Sequence, residues 1–293
     1  MQFLPRRELG RTGFRATVLG IGDLADRNLP LEQCVATVRR ALDAGLNLID
    51  TAPGYEAGYS EQIVGTALKG RRDGVFVIDK IDDHDAPVAP QVAASVNRLG
   101  FEPDIFVFHG ISTMEQWQKL RFDELTGRRG ISCHNPEVLR VAIPSGLCDV
   151  VMFPVGPFVD DQYVNEILPL ARQHGVGTVC FKTFGAGKLL GDTEGYSRPL
   201  ANRPRGKLSS GGSDTGTATL PRLSVEECLR YTLTVDPDVA LLGLSFPNEQ
   251  DAAFTAAENS RPFTPPEMAD MKRRAAEAIR DKGRVWWNPT TAE

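Results

Sequence analysis

The sequence is short of long hydrophobic runs and carries no excess of positive charge. Across its 293 residues, no apolar stretch approaches the roughly 20 residues that are needed to cross a bilayer, so no membrane span is expected. Lys and Arg number 33 against 38 Asp and Glu. This balance argues against a dedicated nucleic-acid binder, because such a protein needs concentrated cations to displace phosphate counterions. The opening MQFLPRREL has no apolar signal core, so we expect a cytoplasmic protein rather than a secreted one.

Paired cysteines are also missing. The five cysteines are scattered, none has C-x-x-C spacing and their number is odd, so neither a disulfide framework nor a structural zinc site is expected. The segment IDDHDAP (81–87) crowds three Asp residues around His84. Metal ligands must converge in space, however, and consecutive loop residues usually do not. We therefore predict no bound metal.

What the sequence does contain is a regular alternation of short apolar runs with longer helical stretches. The hydrophobic fraction of 41% and the charged fraction of 24% are typical of a globular enzyme. Runs rich in Val, Ile and Phe predict strands at 16–22, 46–50, 75–80, 104–109, 130–132, 149–153, 176–182 and 239–243. Apolar residues at helical spacing predict helices at 31–45, 60–70, near 89–99, near 114–126, from 136, at 161–174, at 224–235 and from 247.

Eight strand-then-helix units predict a (β/α)8 TIM barrel that forms a single domain over residues 1–293. Strands buried on both faces appear as continuous apolar runs, and parallel strands need helical crossovers between them. A doubly wound open sheet is the alternative, but no G-x-G-x-x-G follows the first strand. We expect residues 3–14 to form an N-terminal β-hairpin at the bottom of the barrel. Residues 185–222 are expected to form a long flexible loop, and 264–293 a C-terminal helix and tail.

Polar side chains end three successive predicted strands, where a barrel of this kind places its active site. Asp50 ends the second strand, Lys80 the third and His109 the fourth, and Tyr55 lies in the loop after the second strand. Any one of these residues could be an ordinary solvated strand end. Together they predict one cleft that holds a carboxylate, an ammonium, an imidazole and a phenol.

This set of side chains suits proton donation to a carbonyl group. A free tyrosine has a pKa near ~10, too high for ready proton donation at neutral pH, and a neighbouring ammonium lowers it. Lys80 beside Tyr55 would have this effect, and Asp50 would keep Lys80 charged and in place. His109 could then orient a substrate carbonyl or share the proton transfer. Because no nucleophile is needed, we expect a reaction in which a hydride comes from another molecule.

At this point the sequence resembles the aldo-keto reductases. IDTAPGY (49–55) with SE (60–61), followed by Lys80 and His109, is similar to that family's tetrad and first signature. The opening LGRTGFRATVLGIG, the segment GVGTVCFKTFGAGKLL and the segment LLGLSFPNEQ resemble its entry into strand one, its Gly-rich loop after strand seven and its cofactor loop after strand eight. The resemblance runs from about residue 8 to residue 256.

The resemblance implies a nicotinamide cofactor held in extended form without a Rossmann domain. It assigns Tyr55 as proton donor, Lys80 and Asp50 as its tuning pair and His109 as the group that orients the carbonyl. It implies that Ser132 contacts the carboxamide, that 185–189 face the pyrophosphate and that 243–250 face the adenosine end. The residues implied for the cofactor are Gly22, Asp50, Ser132, Cys133, Met152, Phe181, Gly185, Gly187, Leu189, Gly243, Ser245, Asn248 and Gln250.

Several of these positions depart from the family pattern. Cys133 and His134 follow Ser132 where the family usually has Asn, Met152 replaces a glutamine, and Phe181 replaces the usual stacking Tyr. A phenyl face still allows stacking, whereas Met donates no hydrogen bond.

The choice between NADP and NAD depends on a cation for the 2′-phosphate. Residues 244–254 contain neither Arg nor Lys, although Lys182 or Lys188 could supply the charge. The resemblance favours NADP(H), and NAD(H) stays open.

We therefore expect an NAD(P)H-dependent oxidoreductase that reduces aldehydes or ketones to alcohols, reversibly, with Tyr55 as general acid. Its partner is a small-molecule carbonyl substrate that contacts Tyr55, His109, Trp286 and Trp287; the two tryptophans could equally be core residues. No nucleic acid or membrane partner is expected, and no oligomeric state is predicted. The alternative is a non-catalytic relative that keeps the barrel and serves as a cofactor-binding or regulatory subunit. A metal-dependent barrel hydrolase would need converging ligands that this sequence does not offer.

Overall fold

The computed structural model describes residues 5–22, 25–191, 220–244, 247–283, 285, 287 and 288. Eight parallel strands close into a barrel in the order β3 to β10, and a separate two-stranded hairpin precedes them. The strands are β1 (Arg6–Glu8), β2 (Arg15–Thr17), β3 (Leu19–Ile21), β4 (Leu48–Asp50), β5 (Phe76–Ile81), β6 (Ile105–Ile111), β7 (Arg128–Cys133), β8 (Val150–Pro154), β9 (Gly177–Phe181) and β10 (Val239–Leu242).

Helices connect the strands on the outside of the barrel. They are α1 (Leu31–Asp43), α2 (Tyr59–Leu68), α3 (Val88–Leu99), α4 (Met114–Lys119), α5 (Pro136–Ala142), α6 (Leu168–Gln173), α7 (Val225–Val235), α8 (Pro247–Glu258) and α9 (Pro265–Ile279). Side chains of Thr113, Ser224 and Thr264 begin α4, α7 and α9 with capping boxes, which satisfy amide groups that have no partner inside the helix. None of the described helices is long and apolar enough to cross a membrane.

The closed barrel, the N-terminal hairpin and the C-terminal helix confirm the predicted fold. Because β10 pairs in parallel with both β9 and β3, the sheet has no open edge, which excludes the doubly wound alternative. The loop predicted at 185–222 lies largely outside the described residues, as do parts of the tail at 264–293. The single-domain organisation stays a prediction.

Some element boundaries differ from the predicted ones. The predicted first strand, 16–22, is divided between β2 and β3, because Thr17 pairs with Arg6 in the hairpin while Leu19 pairs in the barrel. The predicted helix near 114–126 ends at Lys119. Phe122 then packs its ring edge-on against Phe108, 5.0 Å between centroids, in a short 3-10 turn. The chain thus leaves the helix to bury an aromatic ring.

The predicted helix at 161–174 is also interrupted. Its first part, Tyr163–Ile167, is a π-helix that leads into α6. Pro169 lies in the first turn of α6 and has no N–H to donate, so the widened turn comes just before a residue that cannot complete the regular hydrogen-bond pattern.

Side chains alternate between the two faces of every barrel strand, and this alternation builds two layers of core. One face fills the barrel interior and the other packs against the helices. The interior cluster consists of Leu9, Ala16, Leu48, Phe76, Ile78, Ile105, Val107, Val150, Met152, Val179, Val239 and Leu241. A residue's place in this alternation therefore decides whether a polar side chain at a strand end reaches the mouth of the barrel.

The hairpin closes the bottom of the barrel. Leu9 is fully buried in the interior cluster, and the Arg11 amide donates to the Gly175 carbonyl at 2.7 Å. At Gly10 the backbone approaches the start of β9 so closely that a Cβ atom would lie 2.2 Å from the nitrogen of Gly177. Only glycine fits this contact.

We expect Gly10→Ala to destabilise the fold more than Gly13→Ala. Both glycines have positive φ, +47° and +75°, but a Cβ at Gly13 would meet no atom within 4 Å. Gly13→Ala should therefore cost about 1–2 kcal/mol for its backbone conformation alone. Gly10→Ala should cost at least about 2 kcal/mol more, because the hairpin must move off the barrel. Urea unfolding of both variants measures the difference, and equal losses would contradict the close approach.

Candidate active site

The four residues that the sequence singled out lie at one end of the barrel. Asp50, Lys80 and His109 each follow an interior residue by two positions, at Leu48, Ile78 and Val107, so all three point to the inside. The carboxyl ends of parallel strands meet at the same mouth, which brings these side chains together there.

Lys80 is the most deeply buried charge of the group. Its side chain is 1% exposed, and Nζ donates to Asp50 Oδ1 at 2.6 Å and to the Thr51 carbonyl oxygen at 2.7 Å. Asp50 is itself only 2% exposed. An isolated ammonium would lose its charge in such a place, so the short contact with a buried carboxylate is what keeps it protonated.

Tyr55 lies directly over this ammonium. Lys80 Nζ is 4.5 Å from the centroid of the Tyr55 ring. Burial acts to lower the pKa of Lys80, but the charge of Asp50 and the contact with Tyr55 outweigh it, so this pKa lies above its usual range. The ammonium of Lys80 therefore stays charged over the whole pH range in which the Tyr55 phenol could lose its proton. The three residues form one electrostatic unit.

His109 is the fourth residue of the group, and it contacts Asp82, for which the sequence predicted no role in this cleft. The His109 ring stands edge-on to Tyr55, 5.6 Å between centroids. Its Nδ1 lies 2.5 Å from Asp82 Oδ1, and the other oxygen of Asp82 accepts from the amide of Gly54 at 2.6 Å. Burial acts to raise the pKa of Asp82, but the hydrogen bonds from His109 and Gly54 hold it below its usual range.

Asp82 belongs to the acidic segment that the sequence analysis considered as a metal site. The alternation of side chains along β5 predicts that Asp82 points into the cleft, because Lys80 points inward, Ile81 outward and the next residue inward again. Among the residues that the structure describes, no three or more His, Cys, Asp or Glu side chains converge in a way that could hold a metal ion.

The next strands around the barrel place the residues implied for the nicotinamide. Ser132 pairs with Met152, which belongs to the interior cluster, and Phe181 packs against that same cluster. These three residues therefore face inward on β7, β8 and β9. Gly22 follows β3 on the inner face, where its amide donates to the Leu242 carbonyl at 2.7 Å.

Cys133 differs from this pattern. Its side chain is fully buried among residues that pack against the helices, and its sulfur contacts the backbone of Asn135 at 3.3 Å. The side chain points away from the cleft, and the cofactor role implied for Cys133 stays a prediction. His134, the next residue, packs its ring 5.2 Å from Phe181. Burial and the nearby charge of Lys182 lower the pKa of His134 to about 3, so this ring is neutral.

The Gly-rich turn after β9 uses most of its amide groups internally. The amides of Gly185 and Gly187 donate to the carbonyls of Lys182 and Phe184, and the Leu189 amide also donates to Phe184. The Leu189 side chain is fully buried in the outer core. The pyrophosphate contacts implied for 185–189 stay a prediction.

The two lysines predicted as alternatives for the 2′-phosphate contact other parts of the chain. Lys188 is buried and donates to the carbonyl of Lys282 in the C-terminal segment. The ammonium of Lys182 lies 5.4 Å from the Phe181 ring centroid.

A different cation reaches the implied adenosine end, and no sequence pattern predicted it. Arg40 of α1 donates to Gln250 Oε1 at 3.0 Å and to Asp251 Oδ1 at 2.5 Å. Gln250 in turn donates to the carbonyls of Thr37 and Leu244, which fixes the start of α8 against α1.

For three more of the residues implied for the cofactor, the structure gives at most their location and exposure. Gly243 follows β10, Asn248 is exposed in the first turn of α8, and Ser245 lies outside the described residues. The cofactor roles of all three stay predictions.

The tail tryptophans were considered both for the substrate pocket and for the core. Trp287 is 0% exposed, lies in the outer core and donates from Nε1 to the Phe158 carbonyl at 3.0 Å. Its ring therefore offers no surface to a substrate in this conformation. Trp286 lies outside the described residues.

Comparison with known proteins assigns the family. The model of the Aldo/keto reductase family matches residues 17–273, so the chain belongs to this family and the resemblance seen in the sequence is confirmed. The NADH-specific methylglyoxal reductase of Escherichia coli K12 is 28% identical over 216 residues, which cover 62% of this chain and 66% of that protein. The aligned region thus spans just under two thirds of that relative's length.

Solved structures share the fold at low sequence identity. An aldo-keto reductase from Bacillus halodurans, AKR11C1 in its holo form, superposes with a TM-score of 0.67 at 24% identity, covering 95% of this chain and 98% of that one. An aldo-keto reductase from Klebsiella pneumoniae in complex with NADPH gives a TM-score of 0.65 at 20% identity, with coverage of 92% and 95%. At these identities the likeness establishes the barrel.

A second buried carboxyl lies directly behind the cleft. Asp79 precedes Lys80 and points outward, where it is fully buried beside Glu61, which pairs with Arg98. One oxygen of Asp79 accepts from the Lys80 amide at 2.8 Å; the other has no hydrogen-bond partner within the described part of the chain. Burial raises the pKa of Asp79 to about 8, and the charge of Glu61 acts in the same direction.

We expect Asp79→Asn to stabilise the protein at alkaline pH. In the unfolded chain an Asp has a pKa of ~3.9, whereas in the folded protein the pKa of Asp79 is about 8. Between these two pH values the unfolded chain loses this proton and the folded protein keeps it, so the folded protein becomes less stable as the pH rises from about 4 to about 8. The amide cannot ionise and should gain at least about 1 kcal/mol over the original chain between pH 5 and pH 8.5. Urea unfolding across this range measures the gain. The exposed Asp73→Asn should give no pH-dependent gain; the same gain in both variants would contradict the assignment to Asp79.

Proposed function

We propose that this chain is an NAD(P)H-dependent carbonyl reductase that converts aldehydes or ketones to alcohols, and the reverse, with Tyr55 as the proton donor. The observation that carries the proposal is the buried Lys80 ammonium, held by Asp50 on one side and lying 4.5 Å from the Tyr55 ring on the other. A barrel that only bound a ligand would not need a phenol next to a buried positive charge.

Lys80 prepares Tyr55 for proton transfer. The ammonium stabilises the phenolate that remains after Tyr55 gives up its proton, because opposite charges at this distance favour each other strongly in a site with little water. Asp50 keeps the lysine charged throughout. General acid catalysis of this type contributes roughly 10²–10⁴-fold to a rate. In the forward direction the phenol O–H bond breaks, its proton goes to the substrate oxygen, and the phenolate later recovers a proton from solvent.

His109 receives the carbonyl oxygen beside Tyr55. Its ring stands edge-on to the phenol, 5.6 Å between centroids, and in the proposed mechanism both groups contact the substrate oxygen. Two hydrogen-bond donors that meet at one oxygen stabilise the negative charge that develops there when the neighbouring carbon is reduced.

The inward face of β7 to β9 fits a nicotinamide. Ser132 offers a hydroxyl, and Phe181 offers a ring face for stacking next to the neutral ring of His134. When bound, the nicotinamide would supply the hydride that the substrate carbon accepts. Ser132 and Phe181 would hold it, while Met152 would close the apolar floor beneath it. The neutral His134 would add a donor or an acceptor in the region where the family usually has Asn.

Both nicotinamide dinucleotides are proposed as cofactors. The Klebsiella neighbour was solved with NADPH, and the Escherichia coli relative is named as NADH-specific. In the described part of this chain, Arg40 contacts Gln250 at the implied adenosine end and is already paired with Asp251. The relative named as a methylglyoxal reductase supports a small carbonyl compound as substrate. The intact group of Asp50, Tyr55, Lys80 and His109 argues against a purely regulatory role.

We expect Tyr55→Phe to abolish turnover and to leave cofactor binding intact. The variant removes only the transferable proton, so reduction of methylglyoxal should fall by about 100-fold or more. Quenching of protein fluorescence by NADPH and by NADH should give unchanged dissociation constants. Tyr59→Phe is the matched control, since its hydroxyl contacts the Leu29 carbonyl instead of the cleft. Normal turnover in Tyr55→Phe would remove Tyr55 from the mechanism.

A further inference from the structure

Asp82 makes two hydrogen bonds that connect different parts of the cleft. One carboxylate oxygen contacts His109 Nδ1 on β6, at 2.5 Å. The other accepts from the amide of Gly54, at 2.6 Å, directly before Tyr55 in the loop after β4. A single side chain therefore holds both the imidazole and the segment that carries the phenol.

The close approach at Gly54 shows how tightly this contact is built. A Cβ atom at position 54 would lie 2.5 Å from Asp82 Oδ2. Any side chain at position 54 would therefore push the Asp82 carboxylate away. Glycine leaves room for this carboxylate to reach the backbone amide.

The carboxylate also decides which nitrogen of His109 carries a proton. An ionised carboxylate only accepts hydrogen bonds, so the His109 nitrogen that faces Asp82 must be Nδ1–H. The other nitrogen, Nε2, is then a bare acceptor in the neutral ring and a donor only in the imidazolium. A carbonyl oxygen also only accepts, so His109 can bind one through Nε2 only as the cation, which Asp82 stabilises.

We propose that Asp82 is a positioning residue for the reductase reaction, which fixes His109 with Nδ1–H toward Asp82 and anchors the loop that presents Tyr55. This inference rests on the proposed function. It adds a fifth residue to the set Asp50, Tyr55, Lys80 and His109, and it gives a role to the acidic segment after β5. Asp82 acts through His109 and Gly54 without touching the reacting atoms.

Several other ionisable groups surround the contact between Asp82 and His109. Lys80 on β5 favours the ionised form of Asp82. His84 in the same loop and His134 on the far side of His109 are close enough for their charges to interact with the His109 ring. Burial lowers the pKa of both histidines, so both are neutral at neutral pH and leave Asp82 as the charge that balances an imidazolium at His109. Tyr55 stands edge-on to the same ring.

Asp82→Asn separates the two contacts, because an amide has one accepting oxygen where the carboxylate has two. If the oxygen stays on the Gly54 amide, the NH2 group faces His109 and forces the proton from Nδ1 to Nε2. If the oxygen stays on His109, two donors face each other at Gly54. Either arrangement damages the clamp, while the side chain keeps its size.

The test compares Asp82→Asn with Asp83→Asn, the adjacent exposed residue whose oxygen accepts from the amides of Asp85 and Ala86. We expect Asp82→Asn to lower kcat for methylglyoxal by about 10-fold or more, with the cofactor dissociation constant unchanged. Asp83→Asn should stay within about 2-fold of the original chain.

Nitrogen-15 NMR of the four histidines gives a readout that needs no turnover. His109, assigned with a His109→Asn variant, should show Nδ1–H in the original chain and in Asp83→Asn, and should lose this signature in Asp82→Asn. Gly54→Ala should reproduce the kinetic defect, since its Cβ displaces the carboxylate; a thermal melt shows that the variant is folded.

The outcomes separate this inference from the proposed function. An Asp82→Asn variant with the original kcat and an unchanged Nδ1–H signature would overturn the role of Asp82. Lack of turnover by the original chain with any carbonyl compound would overturn the proposed function instead. The NMR signature would still decide whether Asp82 sets the proton position of His109.

Discussion

The candidate site depends on keeping one ammonium charged where almost no water reaches it. Lys80 is 1% exposed and Asp50 2%, and transfer of either charge alone from water to such a position would cost several kcal/mol. Each makes the burial of the other possible, and the Thr51 carbonyl takes a further hydrogen of the ammonium. Tyr55 then lies against a fixed positive charge. The chemistry proposed for this phenol follows from that charge.

Strand β5 shows how one short segment serves both sides of the barrel wall. Lys80 points into the cleft, while Asp79 points outward to a second buried carboxylate, Glu61. Burial raises the pKa of Asp79, and the charge of Glu61 acts in the same direction, so Asp79 holds its proton well above the pH at which a carboxyl usually loses one. The loop after the strand then turns Asp82 back toward the cleft. Asp79, Lys80 and Asp82 thus have three different charge states at neutral pH, which are set by their surroundings.

The sequence predicted the parts of this structure that repeat or that lie at strand ends. Eight apolar runs separated by helical stretches were enough for the barrel, and Asp50, Lys80 and His109 could be placed because a strand end in a barrel points to the mouth. The helix boundaries near Phe122 and Pro169 were less accurate, since local packing of a ring and a missing N–H ended or widened the helix there.

Long-range pairs could not be read from the sequence. The contact of Asp82 with His109 joins residues 27 positions apart, and the contact of Arg40 with Gln250 joins residues 210 positions apart. Each contact depends on how the strands and helices are arranged around the barrel relative to one another. Cys133 is a different case, because alternation along β7 already predicts that it points away from Ser132. The outward direction of this side chain could therefore be predicted from the sequence.

The central claim is that the Lys80 ammonium favours loss of the Tyr55 proton, and titration of the tyrosine rings tests it most directly. Carbon-13 NMR of the five tyrosines, with Tyr55 assigned from Tyr55→Phe, follows each phenol as the pH rises. We predict that the Tyr55 phenolate forms at a lower pH in the original chain than in Lys80→Met, where the neutral side chain fills the same space. The same titration midpoint for Tyr55 in both proteins would contradict the account.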